Sequence, residues 1–165
     1  MSPPPAPPAV VFDCMIFLQA LANDASPAAG ALDLVDTGEI TLFVSEQVLR
    51  EVRKVLDRPE VRIALPGIND LRIESLFRRL EKKAVLVKEV PKVFEYPRDP
   101  EDEPYINLAI AIGAKFLVSR DKDLLDLMTA HDVESKQFRQ RFRFLRIIDP
   151  TDLLHEIKRL GAEHE

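Results

Sequence analysis

Much of what this chain lacks narrows what it can be. No apolar run approaches the roughly 18 residues of a membrane span, so no membrane partner is expected. A single cysteine, Cys14, excludes an internal disulfide and fits a reducing, cytoplasmic compartment. It is expected at the end of a buried strand, with a structural role. Residues 1–8 hold five prolines and no basic residue, so they lack the charged start and apolar stretch of a signal peptide. They read as a disordered or extended leader. An excess of positive charge is missing too: the net charge is −5. That argues against a protein that coats nucleic acid by bulk charge. It leaves room for a nuclease, whose acidic metal ligands lower the sum. His131, His155 and His164 show no ligand spacing and read as surface residues, which argues against zinc. There is no internal repeat and no sign of a second domain.

What is present is a globular composition, 46% hydrophobic and 31% charged over 165 residues, enough for one sizeable core. A single domain is expected over 9–160, with a tail at 161–165. Strand-like runs at 10–12, 40–44, 85–90, 116–118 and 145–148 alternate with helical patterns. Those patterns cover 16–22, 28–35, 46–56, 105–112, 123–128 and 152–160. Ser45 is a good N-cap, Pro27 suits a first turn, and Arg58-Pro59 ends a helix. The segment 59–83 reads as a two-helix insertion or arm, with Leu71, Leu76, Phe77 and Leu80 as its apolar face. Alternation of strand and helix predicts an α/β domain, a three-layer α/β/α sandwich around a parallel sheet.

Acidic residues fall at the ends of the apolar runs. Asp13 closes Ala9-Val10-Val11-Phe12, Glu51 sits inside the helix after Ser45, Asp102 and Glu103 open the 105–112 helix, and Asp121 follows Phe116-Leu117-Val118-Ser119. Carboxylates just past the carboxyl ends of parallel strands converge in one crevice. Such a group repels itself unless cations fill it, and hard oxygen ligands suit Mg²⁺ or Mn²⁺. A phosphodiester hydrolase needs that arrangement, because metal ions activate water and stabilise the leaving oxygen. Each acid alone also has a plainer reading as a helix cap or a solvated charge. For Asp13, wedged among apolar residues, the plainer reading is weakest, since burying a lone carboxylate is costly. Asp123 reads first as a cap, and Asp99 and Glu101 as solvated loop charges.

The motifs in order are Val11-Phe12-Asp13-Cys14-Met15, Val44-Ser45-Glu46-Gln47-Val48-Leu49-Arg50-Glu51, Asp99-Pro100-Glu101-Asp102-Glu103-Pro104-Tyr105-Ile106-Asn107, and Leu117-Val118-Ser119-Arg120-Asp121-Lys122-Asp123. Together they resemble a PIN domain over about residues 10–155. The likeness is to the branch of toxin components of toxin–antitoxin systems, VapC-like ribonucleases. The resemblance implies a parallel α/β/α sandwich and Mg²⁺- or Mn²⁺-dependent hydrolysis of RNA. It implies catalytic roles for Asp13, Glu51, Glu103 and Asp121. Metal ligands would be Asp13, Asp102, Glu103, Asp121 and the accessory Asp123, with Asp102 and Glu103 open as alternatives. It further implies a homodimer and an antitoxin protein as partner. Two positions depart from the family pattern: Met15 replaces an asparagine, and Glu103 replaces an aspartate. Met15 also occupies the place where a haloacid-dehalogenase-type phosphatase needs its second acid. The early acid pair of a phospho-receiver domain is missing as well. The remaining alternative is a catalytically degenerate PIN-like module that binds RNA or protein.

One local basic patch stands out. Lys136, Arg139, Arg141, Arg143 and Arg146 interleave with Phe138, Phe142 and Phe144, with no acid among them. Charge on phosphates and rings on bases would suit single-stranded RNA. Alternatively it is a surface loop whose phenylalanines pack on the core. Arg120 and Lys122, beside Asp121, are further candidates for phosphate contact.

Overall fold

The computed structural model describes residue 3 and residues 5–163. His164 and part of the expected leader and tail lie outside them. Five parallel strands form the sheet: β1 (Ala9–Phe12), β2 (Thr41–Ser45), β3 (Val85–Val87), β4 (Phe116–Val118) and β5 (Arg146–Ile148). Their spatial order is β3-β2-β1-β4-β5. Nine helices join them among the described residues: α1 (Cys14–Ala22), α2 (Pro27–Thr37), α3 (Glu46–Leu56), α4 (Pro59–Ala64), α5 (Asp70–Lys83), α6 (Glu103–Ile112), α7 (Lys122–Thr129), α8 (Val133–Arg141) and α9 (Pro150–Glu163). A single 3₁₀ turn, Pro100–Asp102, precedes α6. None of these helices is long and apolar enough to cross a membrane.

The central strand explains the topology. Val10, Val11 and Phe12 are buried on both faces, as a continuous apolar run in a parallel sheet must be. The chain leaves β1 toward β2 on one side and later returns to β4 on the other. The strand order therefore reverses between β1 and β4, and a crevice opens at their carboxyl ends. α1, α2, α5 and α9 pack together on one layer, while α6 covers β1, β2 and β4, and α7 lies on β5 beside α8. The α/β/α sandwich expected from the alternation of elements is the observed fold.

Local signals set the element ends. Ser26, Ser45, Asn69 and Asp132 each cap a helix by accepting a backbone N–H. Gly113 ends α6 in the left-handed region (φ 64°) and turns the chain into β4, a conformation that other residues adopt only with strain.

Three expectations need correction. Cys14 is not a strand end but the first residue of α1, because Asp13 caps the helix immediately before it. The two helices expected over 59–83 are present as α4 and α5, but they do not form a projecting arm: Ile73, Leu76 and Leu80 are buried, and α5 lies against α1 and α2. Leu71, expected on the apolar face, is 75% exposed, since the buried stripe runs through position 73 instead. Thirdly, the basic stretch is not a loop as far as Arg141. Asp132 accepts bonds from both the backbone N–H and the hydroxyl of Ser135, which starts α8.

The packing separates two leucines on one helix. Leu76→Ala is expected to destabilise the protein by about 2–5 kcal/mol, and Leu71→Ala by no more than about 0.5 kcal/mol. Urea unfolding followed by circular dichroism measures both, and equal effects would show that α5 does not seat Leu76 in the core.

Candidate metal centre

Asp13 and Ser119 face each other across the crevice because Phe12 pairs with Val118 in register. The Asp13 N–H donates to the Val118 carbonyl at 3.1 Å, which continues the ladder one residue past the strands. Asp13 Oδ1 accepts the Ile16 N–H at 3.2 Å, capping α1, and Oδ2 accepts the Ser119 hydroxyl. Ser119 Oγ also accepts the Asp121 N–H at 2.9 Å, and Asp121 Oδ1 accepts the Asp123 N–H at 2.8 Å. One serine thus links the acid after β1 to the acid after β4. Both carboxylates double as helix N-caps, so the plain and the functional readings of these residues hold together.

Asp13 is only 4% exposed. Burial pushes its carboxyl up from 3.8 to about 6, the bonds from Ser119 and Ile16 oppose this, and the nearby Asp121 charge adds to it. Asp102, also buried, is raised more strongly. Desolvation is the main cause, followed by the charges of Asp121 and Asp99, then Asp13. Its Oδ2 is a buried oxygen with no hydrogen-bond partner. Asp99, Asp121 and Asp123 each bring a carboxylate oxygen within 4.8 Å of the others. The close group is thus Asp99, Asp121 and Asp123; Asp13 is joined to Asp121 through Ser119, and Asp102 lies near enough to feel the charges of Asp121, Asp99 and Asp13.

Glu51 lies near Cys14 and Tyr105. It is half-buried and raised, first by burial and then by Glu101, with the Tyr105 hydroxyl, Arg58 and Lys54 acting the other way. Cys14 is pushed up to about 12 by burial and by Glu51 and Asp13, so its thiol stays protonated and inert. Glu103 is turned elsewhere. Its Oε1 accepts the Tyr96 N–H at 3.0 Å and its Oε2 lies 3.8 Å from Lys92 Nζ. Of the adjacent pair, Asp102 is therefore the residue beside Asp121.

Met15 stands 46% exposed on the first turn of α1. Arg120 and Lys122 are exposed on either side of Asp121. Of the basic patch, Arg139 donates to the Leu127 carbonyl at 2.8 Å, Arg141 lies over the Phe142 ring, and Arg143 is exposed. Phe138 and Phe142 are buried against each other and against Phe94, so they are core side chains rather than a stacking platform. Only Phe144, 48% exposed, leaves a ring open. His131 and His155 are exposed.

Sequence reasoning missed Asp99 and the loop that carries it. Asn107 Oδ1 accepts the Val93 and Phe94 N–H groups, both at 2.8 Å, and its Nδ2 donates to the Phe94 carbonyl at 3.0 Å. The Tyr96 hydroxyl donates to the Asp123 carbonyl at 2.6 Å. The one legible signal was Asp99-Pro100, a cap and first-turn pair that sets Asp99 at the start of the 3₁₀ turn.

All these donors are hard carboxylate oxygens, and Asp102 adds a buried oxygen with no hydrogen-bond partner. That chemistry fits a divalent cation that takes hard oxygen ligands. A doubly wound sheet with acids at its switch point defines the class: an α/β domain with an acidic cluster that could hold a metal ion. Residues 9–123 match the family model of the PIN domain, and the chain belongs to that family. PIN domains are generally metal-dependent nucleases that use divalent ions. No curated protein matches the chain.

The raised Asp13 has a consequence for stability. Its folded value lies above the unfolded one, so the folded state binds more protons between about pH 4 and pH 6. Its contribution is present in full below that window and is lost as pH rises through it. A shift from 3.8 to about 6 corresponds to on the order of 3 kcal/mol. Metal-free protein is therefore expected to lose stability across this window. Asp13→Asn is expected to raise the metal-free melting temperature at neutral pH and to flatten the pH profile. Thermal melts in chelator from acid to neutral pH check both.

Proposed function

We propose that this PIN domain is a Mg²⁺- or Mn²⁺-dependent endoribonuclease that hydrolyses RNA phosphodiester bonds. The observation that supports it is the acidic cluster past β4, where Asp99, Asp121 and Asp123 bring carboxylate oxygens within 4.8 Å of one another while Ser119 ties Asp121 to the buried Asp13. A divalent ion held there supplies Lewis acidity and makes water a nucleophile near neutral pH. Asp13, Asp102, Asp121 and the outer Asp99 and Asp123 would hold it. Ser119 fixes the Asp13 carboxylate, so the first ligand is oriented before any cation arrives. Glu51 is half-buried with its carboxyl raised, which supports a role in taking up a proton at a carboxylate oxygen. Glu103 serves as a clip for the 92–96 loop. Arg120 and Lys122 offer exposed charge to phosphates beside Asp121.

The sequence resemblance supports the biological setting: a toxin of a toxin–antitoxin pair, acting in the cytoplasm as a homodimer and restrained by an antitoxin protein. Of the basic patch, Arg143 remains open to RNA, while Arg139 and Arg141 are engaged in packing α8.

Cleavage of single-stranded RNA in Mn²⁺ tests this reading. Asp13→Asn and Asp121→Asn are each expected to cut the rate to below about one hundredth with the fold retained. Arg120→Ala with Lys122→Ala is expected to raise KM and leave kcat near its starting value. Undiminished cleavage in Asp13→Asn, or no cleavage by the wild type, would overturn the assignment.

A further inference from the structure

The acids of the centre come with a cation already seated among them. Arg98 Nε lies 2.7 Å from Asp123 Oδ1, and its Nη2 lies 2.7 Å from Asp126 Oδ2. Asp123 is also one of the three residues whose ligand oxygens lie within 4.8 Å of one another. The guanidinium therefore holds a carboxylate that a divalent ion at this place would also draw on. A planar, permanently charged group bridging two carboxylates is a strong partner for both.

We propose that Arg98 is an internal counter-cation: it neutralises Asp123 in the metal-free protein and gives way when a divalent ion loads. The inference rests on the metal-centre reading above and adds a residue that sets how tightly that centre binds.

Losing Arg98 would have two effects of opposite sign. It would loosen the loop that carries Asp99 and Asp102, which weakens metal binding. It would also remove a positive charge next to the cation, which strengthens binding. The loop has other anchors. Asn107 holds Val93 and Phe94, Glu103 holds the Tyr96 N–H, and the Tyr96 hydroxyl reaches α7 at the Asp123 carbonyl. With those in place the loop stays, and the charge effect decides the outcome. Arg98 is 41% exposed, so solvent moderates its field without cancelling it.

The experiment is a Mn²⁺ titration without RNA, read from the electron paramagnetic resonance of free Mn²⁺, on wild type, Arg98→Met and Arg98→Lys. Arg98→Met is expected to bind Mn²⁺ about three- to tenfold more tightly, and Arg98→Lys, which keeps the charge, to stay within about twofold of wild type. A wild-type measurement covers the case in which Arg98→Met does not fold. The Arg98 Nε–H resonance, held by Asp123, is expected to move and to exchange faster with water on saturation with Mg²⁺. Unchanged or weaker Mn²⁺ binding by Arg98→Met, an equal gain in Arg98→Lys, or an Nε–H resonance unmoved by Mg²⁺ would overturn the proposal and leave the metal centre standing. A wild type that binds no Mn²⁺ would overturn the metal centre, and this inference with it.

Discussion

The structure depends on one unfavourable arrangement, a group of carboxylates held together where two parallel strands end. Asp13 and Asp102 are buried, Asp121 is near both, and like charges at close range disfavour ionisation. Folding tolerates this because the strands beneath cannot separate without exposing the core. Val10, Val11, Phe12, Phe116, Leu117 and Val118 are fully or almost fully buried. Their pairing sets Asp13 opposite Ser119 whether or not the charges are content there. A cation bound only by the folded state would stabilise such an arrangement.

The rest of the site follows from that pairing. Ser119 bonds to Asp13 with its hydroxyl and accepts the Asp121 N–H, so one buried side chain orients two acids. Asp13 and Asp121 also start helices, which places two N-termini at the crevice and eases the negative charge. The loop before α6 closes the arrangement from above. Asn107, buried in the helix, fastens that loop with three hydrogen bonds, and Tyr96 and Arg98 tie it to α7. The acidic residues are thus assembled from two sides: by the sheet below, and by side chains that carry no metal-ligand chemistry themselves.

The basic segment shows how the same residues can carry either of two meanings. Interleaved arginine and phenylalanine suit RNA on paper. In the fold Phe138 and Phe142 pack into an aromatic cluster with Phe94, and Arg139 ends on a backbone carbonyl. Composition could not separate these outcomes, because a ring that stacks on a base and a ring that packs on a neighbour have the same chemistry.

What the sequence determined by itself is what local and periodic signals encode. The buried run at 10–12, the cap at Ser45 and the regular alternation of strand and helix were enough for the parallel sandwich and for the place of Asp13 and Asp121. Those two acids were legible because Asp13 directly follows β1 and Asp121 comes three residues after β4, strands whose ends the sheet must bring together. The tertiary structure alone shows how the surroundings of Asp102 and Glu103 differ. Neighbours in a turn point in different directions, and only the folded loop shows that Tyr96 and Lys92 occupy Glu103 while Asp102 is left beside Asp121. It also decided the parts played by Asp99, Arg98 and Asn107. Their partners lie on another element or across a loop, at separations that no helical or strand period links, and such contacts exist only once the chain has folded.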